Sequence, residues 1–290
     1  MAGSGNDQVQ IIRGLPFPKG LFKKENIEAA LDHVPWDTDI IMGSYPKTGS
    51  TWLQYIVLQI LSKGELFPSF NEVEDKYAPF IEMVGVQALD GMKEPRVYKH
   101  HIPYNMVQKN EKSKVLYTYR HPEDAFVSFY HFSQNFAFVP VPFDDFFENY
   151  IIGNIGYGRC FEHVLSFYEH RLDGNLLMIS YEQLKANPKD GILRIAKFLG
   201  EEHYECLSEN EEVMAKVLEH TSFEYMKKNL ELFLSLPAGE ETKTKKIEFF
   251  RKGTVGDGKK VLSAEQRERI KAEAKKVLAG TEILKEWYDE

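Results

Sequence analysis

Asp39-Ile40-Ile41-Met42-Gly43-Ser44-Tyr45 runs directly into Pro46-Lys47-Thr48-Gly49-Ser50-Thr51-Trp52, and this passage decides the fold. The first seven residues read as a buried strand. From Ser50 onward the apolar positions Leu53, Ile56, Val57, Ile60 and Leu61 fall on one face of a helix. The turn between them has what an anion cradle needs. Gly49 lets the backbone turn and approach a ligand closely. Thr48, Ser50 and Thr51 add hydroxyl donors, and Lys47 adds a full charge. The helix start presents free N–H groups and its positive dipole end. The bland alternative is a capped strand-to-helix turn with an incidental lysine.

Outward from this loop, strands keep alternating with helices. Residues 96–100, 114–119 and 175–180 read as further strands. Pro122 with Glu123 and Asp124 reads as a helix start, and residues 188–199 as a helix ending before Gly200. Residues 263–278 read as a polar helix. The pattern predicts one α/β domain over 1–290, a central parallel sheet flanked by helices. Residues 1–12 read as a flexible N-terminus, 64–96 as a long mobile loop, and 230–252 as a mobile lid loop carrying a charge run.

Composition bounds the chemistry. The chain has 290 residues, 43% hydrophobic and 13% aromatic, enough for one large core. Lys plus Arg is 36 and Asp plus Glu is 44, giving a net charge of −8, so a general nucleic-acid surface is excluded. An anionic ligand needs a local cluster of donors. Cys160 and Cys206 are too few for a disulfide framework and lack metal-site spacing. No secretory signal and no apolar stretch of membrane-spanning length is visible, so the expected compartment is the cytoplasm, with no membrane partner.

Four motifs in order carry a family resemblance. Tyr45 to Trp52 resembles the 5′-phosphosulfate loop of the cytosolic sulfotransferases. Arg120, followed eight residues later by Ser128, resembles their 3′-phosphate motif. Residues 181–188, Tyr-Glu-Gln-Leu-Lys-Ala-Asn-Pro, are similar to a further family segment, and Arg251-Lys252-Gly253-Thr254-Val255-Gly256-Asp257 resembles the C-terminal signature. The resemblance implies a P-loop-type fold. It also implies the donor 3′-phosphoadenosine 5′-phosphosulfate (PAPS), the product adenosine 3′,5′-bisphosphate (PAP), a small hydroxyl acceptor and no metal. Lys47, Thr48, Gly49, Ser50 and Thr51 then serve the 5′ side. Arg120, Ser128, Arg251, Lys252 and the Gly253 amide serve the 3′-phosphate, with Phe250 beside them. Trp52 is placed to stack on adenine, and Tyr181, Thr221 and Phe223 match the family's other adenine contacts.

For the chemistry, Lys99-His100-His101-Ile102-Pro103 resembles the family's Lys-Thr-His-Leu-Pro. Strand alternation puts Lys99 and His101 on one face and His100 on the other. His101 is therefore expected as general base and Lys99 as stabiliser of the sulfuryl oxygens. Lys47 is expected to meet the bridging oxygen, and Ser128 to hydrogen-bond Lys47 before an acceptor binds. His131 and His163, each in a helical run, are expected to be structural or surface residues with no assigned role. Phe17, Phe80, Phe136 and Phe138 fall in segments that line the family's acceptor pocket, which favours a phenol or a hydrophobic alcohol.

Two departures stand out. Gly258 replaces the family's usual Trp, which suggests looser packing behind the C-terminal loop. Lys259-x3-Ser263-Ala264-x3-Glu268 keeps only the charged ends of the family's dimer motif, so a homodimer is possible on an altered motif. Two other readings remain: a non-catalytic nucleotide-binding protein, and a kinase or NTPase using Gly253 to Lys260. The second lacks the magnesium-ligating hydroxyl, because Lys260 stands in its place.

Overall fold

The computed structural model describes residues 9–20, 22–67, 69–135, 141–238 and 241–288. Strands β1 (Val9–Ile12) and β2 (Leu15–Pro18) form a hairpin and lead into α1 (Lys24–Asp32). β3 (Ile40–Ser44) then feeds α2 (Ser50–Leu61), followed by the short turns α3 (Phe70–Glu72) and α4 (Ile81–Val84). β4 (Val97–His100) and β5 (Lys114–Tyr119) precede α5 (Pro122–Ser133), α6 (Phe143–Ile152) and α7 (Cys160–Tyr168). After β6 (Leu176–Ser180) come α8 (Tyr181–Ala186), α9 (Pro188–Leu199), α10 (Glu201–Glu209), α11 (Glu211–His220) and α12 (Phe223–Asn229). The hairpin β7 (Leu232–Ala238) and β8 (Glu241–Ile247) leads to α13 (Gly258–Val261), α14 (Ala264–Leu278) and α15 (Glu282–Tyr288).

The central sheet is parallel, in the order β4-β3-β5-β6. All five residues of β3 are buried, as an unbroken apolar strand between two neighbours requires. One face of the sheet carries Ile41, Tyr98, Val115 and Tyr117 against α1 and α7. The other carries Ile40, Met42 and Leu116 against Leu53, Ile56 and Ile60 of α2 and Ile192 and Ile195 of α9. Gly43 is required in the middle of β3, because a Cβ there would lie 2.7 Å from the Phe167 ring. Each fully buried side chain of this size contributes about 1.5–3 kcal/mol.

Three segments differ from the reading of the sequence. Residues 9–12 form β1, because pairing with β2 gives the terminal segment a partner. Residues 64–96 contain helical turns, including a π-helical one at Val73–Tyr77, which bury Phe70, Val73, Phe80 and Ile81. Residues 230–252, read as a loop, contain the paired strands β7 and β8. Ser263, in the altered dimer motif, caps α14 in a reciprocal arrangement with Gln266. No helix among the described residues is long and apolar enough to cross a membrane.

Candidate active site

The loop from β3 to α2 sits at the carboxyl edge of the central sheet, where ligands of open α/β sheets bind. Lys47 and Gly49 both take positive φ, 68° and 108°. A Cβ at Gly49 would lie 2.9 Å from the Tyr181 ring, so only glycine fits. Gly49 caps α2 without a side-chain bond, which leaves the first-turn N–H groups without helical partners. The Thr51 hydroxyl is buried and unpartnered. The Thr48 hydroxyl has a different use from the expected one. It donates to the carbonyls of Tyr45 (2.8 Å) and Thr118 (2.9 Å), and Thr118 returns a bond to Thr48 O (2.9 Å). Thr48 thereby locks the loop to β5, and its proton is not available to a ligand.

The Lys47 ammonium lies between two rings, 4.0 Å from the Phe132 centroid and 4.1 Å from that of Phe249. No hydrogen bond joins Lys47 to Ser128, which is half-buried on α5. Burial, and then the positive charges of Arg120, Lys99 and Arg251, pushes the Lys47 ammonium down to about 7. A cationic basin therefore exists within an acidic chain.

Arg120 closes this basin at the end of β5. Its guanidinium donates to Thr254 O (2.8 Å), lies 4.4 Å from the Tyr181 ring centroid, and keeps a buried Nε with no partner. Arg251 and Lys252 both reach Asp257, at 2.5 and 2.7 Å. The Asp124 carboxylate accepts from the amides of Gly256 (2.8 Å) and Gly258 (2.7 Å), binding the C-terminal loop to the first turn of α5. Packing at Gly258 is tight, contrary to expectation. Gly258 is buried, and a Cβ there would lie 2.5 Å from Glu123 Cβ and 2.7 Å from its carbonyl carbon. The missing Trp side chain is replaced by direct backbone contact with α5. Gly253, at φ 62°, faces the Phe223 ring, which a Cβ would approach to 2.2 Å. Trp52 meets Tyr181 edge-on at 5.3 Å and donates to Thr221 O (2.8 Å). Phe250 lies 6.4 Å from Phe223 and 5.2 Å from Phe249.

At the end of β4, the predicted alternation separates His100 from Lys99. His100 lines a small cavity with His33, Tyr98 and Tyr104, and burial lowers it to about 3. Lys99 points to the α2 face, where its ammonium meets Glu74 (2.5 Å) and Gln54 (3.2 Å). His101 lies just past the strand, and both it and Lys99 flank Phe80. The Phe80 ring is 4.9 Å from the imidazole and 5.4 Å from Lys99 Nζ.

His101 Nδ1 is 2.7 Å from Ser44 O. A carbonyl only accepts, so Nδ1 carries the proton and Nε2 the lone pair. Burial, reinforced by the charge of Lys99, holds this imidazole well below the ordinary histidine value, against the pull of the Ser44 contact. It is therefore neutral and able to accept a proton. Its peptide groups are held as well. His101 N–H donates to Glu82 (2.7 Å), and His163 Nε2–H donates to His101 O (2.8 Å). His163 is completed by Tyr117 OH at 2.9 Å. His163 thus takes a structural place, buried behind the expected base.

Around His101 lies an aromatic group. Tyr157 is 5.2 Å from the imidazole, Phe17 is 5.4 Å from Tyr157, and Phe22 is 5.5 Å from Phe80. Phe136 and Phe138 lie outside the described residues. Tyr157, Glu82, Glu74, Phe132 and Phe249 were missed from the sequence. Only Tyr157, set between Gly156 and Gly158, and Glu82, two residues after Phe80, had a local signal.

This fold and loop define a P-loop-type α/β enzyme. The sulfotransferase domain family model matches residues 37–282. Sulfotransferase 1B1 of Mus musculus is 35% identical over 258 residues, 84% of each chain. The 3-alpha-hydroxysteroid sulfotransferase of Cavia porcellus is 34% identical over 285 residues, 95% of this chain and 96% of its own. The crystal structure of mouse sulfotransferase SULT7A1 complexed with PAP is similar with a TM-score of 0.77 at 25% identity, covering 97% of this chain and 98% of that one. The chain belongs to the sulfotransferase family and is a PAPS-dependent sulfotransferase. The buried, unpartnered donors Thr51 Oγ1 and Arg120 Nε fit a ligand with two phosphate-like ends.

Proposed function

We propose that the enzyme sulfates the hydroxyl of a small phenol or hydrophobic alcohol, with His101 as general base. The observation that carries this reading is the Nδ1 contact of His101 with Ser44 O, within the group of Phe80 and Tyr157. When bound, PAPS supplies the sulfuryl group and departs as PAP. Every remaining task falls to the chain. Lys47, Gly49, Ser50 and Thr51 hold the 5′ side with charge and free N–H groups. Arg120, Ser128, Arg251, Lys252 and Gly253 hold the 3′-phosphate, and Trp52, Tyr181, Thr221, Phe223 and Phe250 frame the base. Arg251 and Lys252 exchange Asp257 for the phosphate.

His101 Nε2 takes the acceptor's proton as the new bond forms. Lys99 meets charge on the transferred group, and Lys47 meets charge on the leaving phosphate. The rings of Phe17, Phe80 and Tyr157 exclude water and hold a flat acceptor. One relative is named for a hydroxysteroid, which keeps hydrophobic alcohols alongside phenols. The NTPase reading loses support, since the Gly256 and Gly258 amides are taken by Asp124. The test is a panel of phenols, catecholamines and steroid alcohols with sulfur-labelled PAPS. Labelled product with phenols or hydrophobic alcohols supports the reading. Product only with sugars or other strongly polar acceptors overturns it.

A further inference from the structure

Glu74 stands apart from its neighbours. It lies in the π-helical turn Val73–Tyr77, and such turns recur at functional sites. Its acidic neighbour Asp75 is exposed, whereas Glu74 is 5% exposed. Its carboxylate lies 2.5 Å from Lys99 Nζ, with both side chains almost fully buried. Gln54 Oε1 supplies a second acceptor at 3.2 Å and is itself fixed through its amide to Ala78 O (2.7 Å). Two buried oxygens, one of them on an anchored side chain, thus aim a three-donor ammonium. Such a buried pair adds little net stability, because desolvation offsets attraction.

We propose that Glu74 is the positioning residue of Lys99, holding and orienting its ammonium inside the cationic basin. This rests on the reading of Lys99 as the group that meets the sulfuryl oxygens.

The surroundings explain why a counter-charge is needed. Lys47 is less buried than Lys99, yet burial and its cationic neighbours already lower it to about 7. Lys99 faces Glu74, on which Tyr55 of α2 also acts, Gln54 from α2, Lys47 from the phosphate loop, and Glu82 and His101 beyond Phe80. Glu82 cannot serve as counter-ion at neutral pH, because burial raises it to about 8. Tyr55 is held protonated by burial, and burial likewise holds His101 neutral. That leaves Glu74 as the carboxylate opposing Lys99.

The test is an NMR titration of the nucleotide-free protein carrying [ε-13C]lysine, with Lys99 assigned through Lys99→Arg. In Glu74→Gln the Lys99 midpoint should fall by at least one pH unit, and in Glu74→Asp by less. The alkaline limb of kcat should move down by the same amount, while PAP affinity at pH 6 stays within about twofold. An unchanged Lys99 midpoint in Glu74→Gln overturns the proposal. If Glu74→Gln does not fold, Glu74→Asp decides by the same criterion. Lys99→Met separates the two claims: full kcat in that variant removes the role of Lys99, while the titration still reads the hold of Glu74.

Discussion

The phosphate loop and the surroundings of His101 are built in different ways. Pro46 to Trp52 is one contiguous stretch, and its shape follows from local rules: Gly49 at positive φ, a helix start with free N–H groups, and a lysine at its mouth. The His101 site collects its parts from across the chain. Ser44 fixes the tautomer, Glu82 and His163 hold the peptide groups, and Phe17, Phe80 and Tyr157 supply the rings. On the proposed reading the donor side is a motif and the acceptor side a product of packing. Substitutions on the first should act on donor binding and leaving-group charge. Substitutions on the second should act on proton transfer with donor binding intact.

The largest effect should come from Lys47→Met. Losing a cation aimed at the leaving phosphate should lower kcat by about 10²–10³-fold, measured in single-turnover assays with saturating donor. A loss under tenfold would erase the distinction between the two regions.

A pH profile comes next. Lys47 is lowered to about 7, so raising pH above that value removes its charge in the free enzyme. kcat/KM for the donor should therefore fall about tenfold per unit above pH 7. His101 stays neutral across that range, so it adds no limb there. A flat profile from pH 7 to 9 would show that Lys47 is not part of donor capture.

The smallest of the three is His163→Phe. It removes the bond to His101 O and leaves Tyr117 OH unpaired, which should destabilise the fold by about 1–3 kcal/mol. The same change should lower kcat several-fold through a displaced base, with PAP affinity unchanged. Lowered PAP affinity with unchanged kcat would place His163 on the donor side.

The same contrast explains how much could be read from sequence. β3, α2, β5 and the start of α5 carry their own periodicity and punctuation, so the parallel α/β fold was legible. Lys47, Arg120 and Arg251 sit in contiguous motifs, so the sequence alone could nominate them. Thr48 misled because its hydroxyl is claimed by Thr118 O, a contact 70 residues away in sequence. Gly258 misled because a missing side chain reads as space, while here the α5 backbone fills it. Glu74 and His163 carry no local signal. Their partners, Lys99 and His101, become neighbours only when the 64–96 segment and α7 pack against β4.

The central claim is that His101 moves the proton. The direct measurement is single-turnover sulfation by His101→Ala, paired with PAP binding by calorimetry. The account predicts a rate loss of at least about 10²-fold with PAP affinity within about twofold of the unsubstituted enzyme. Retained turnover in that variant would contradict it.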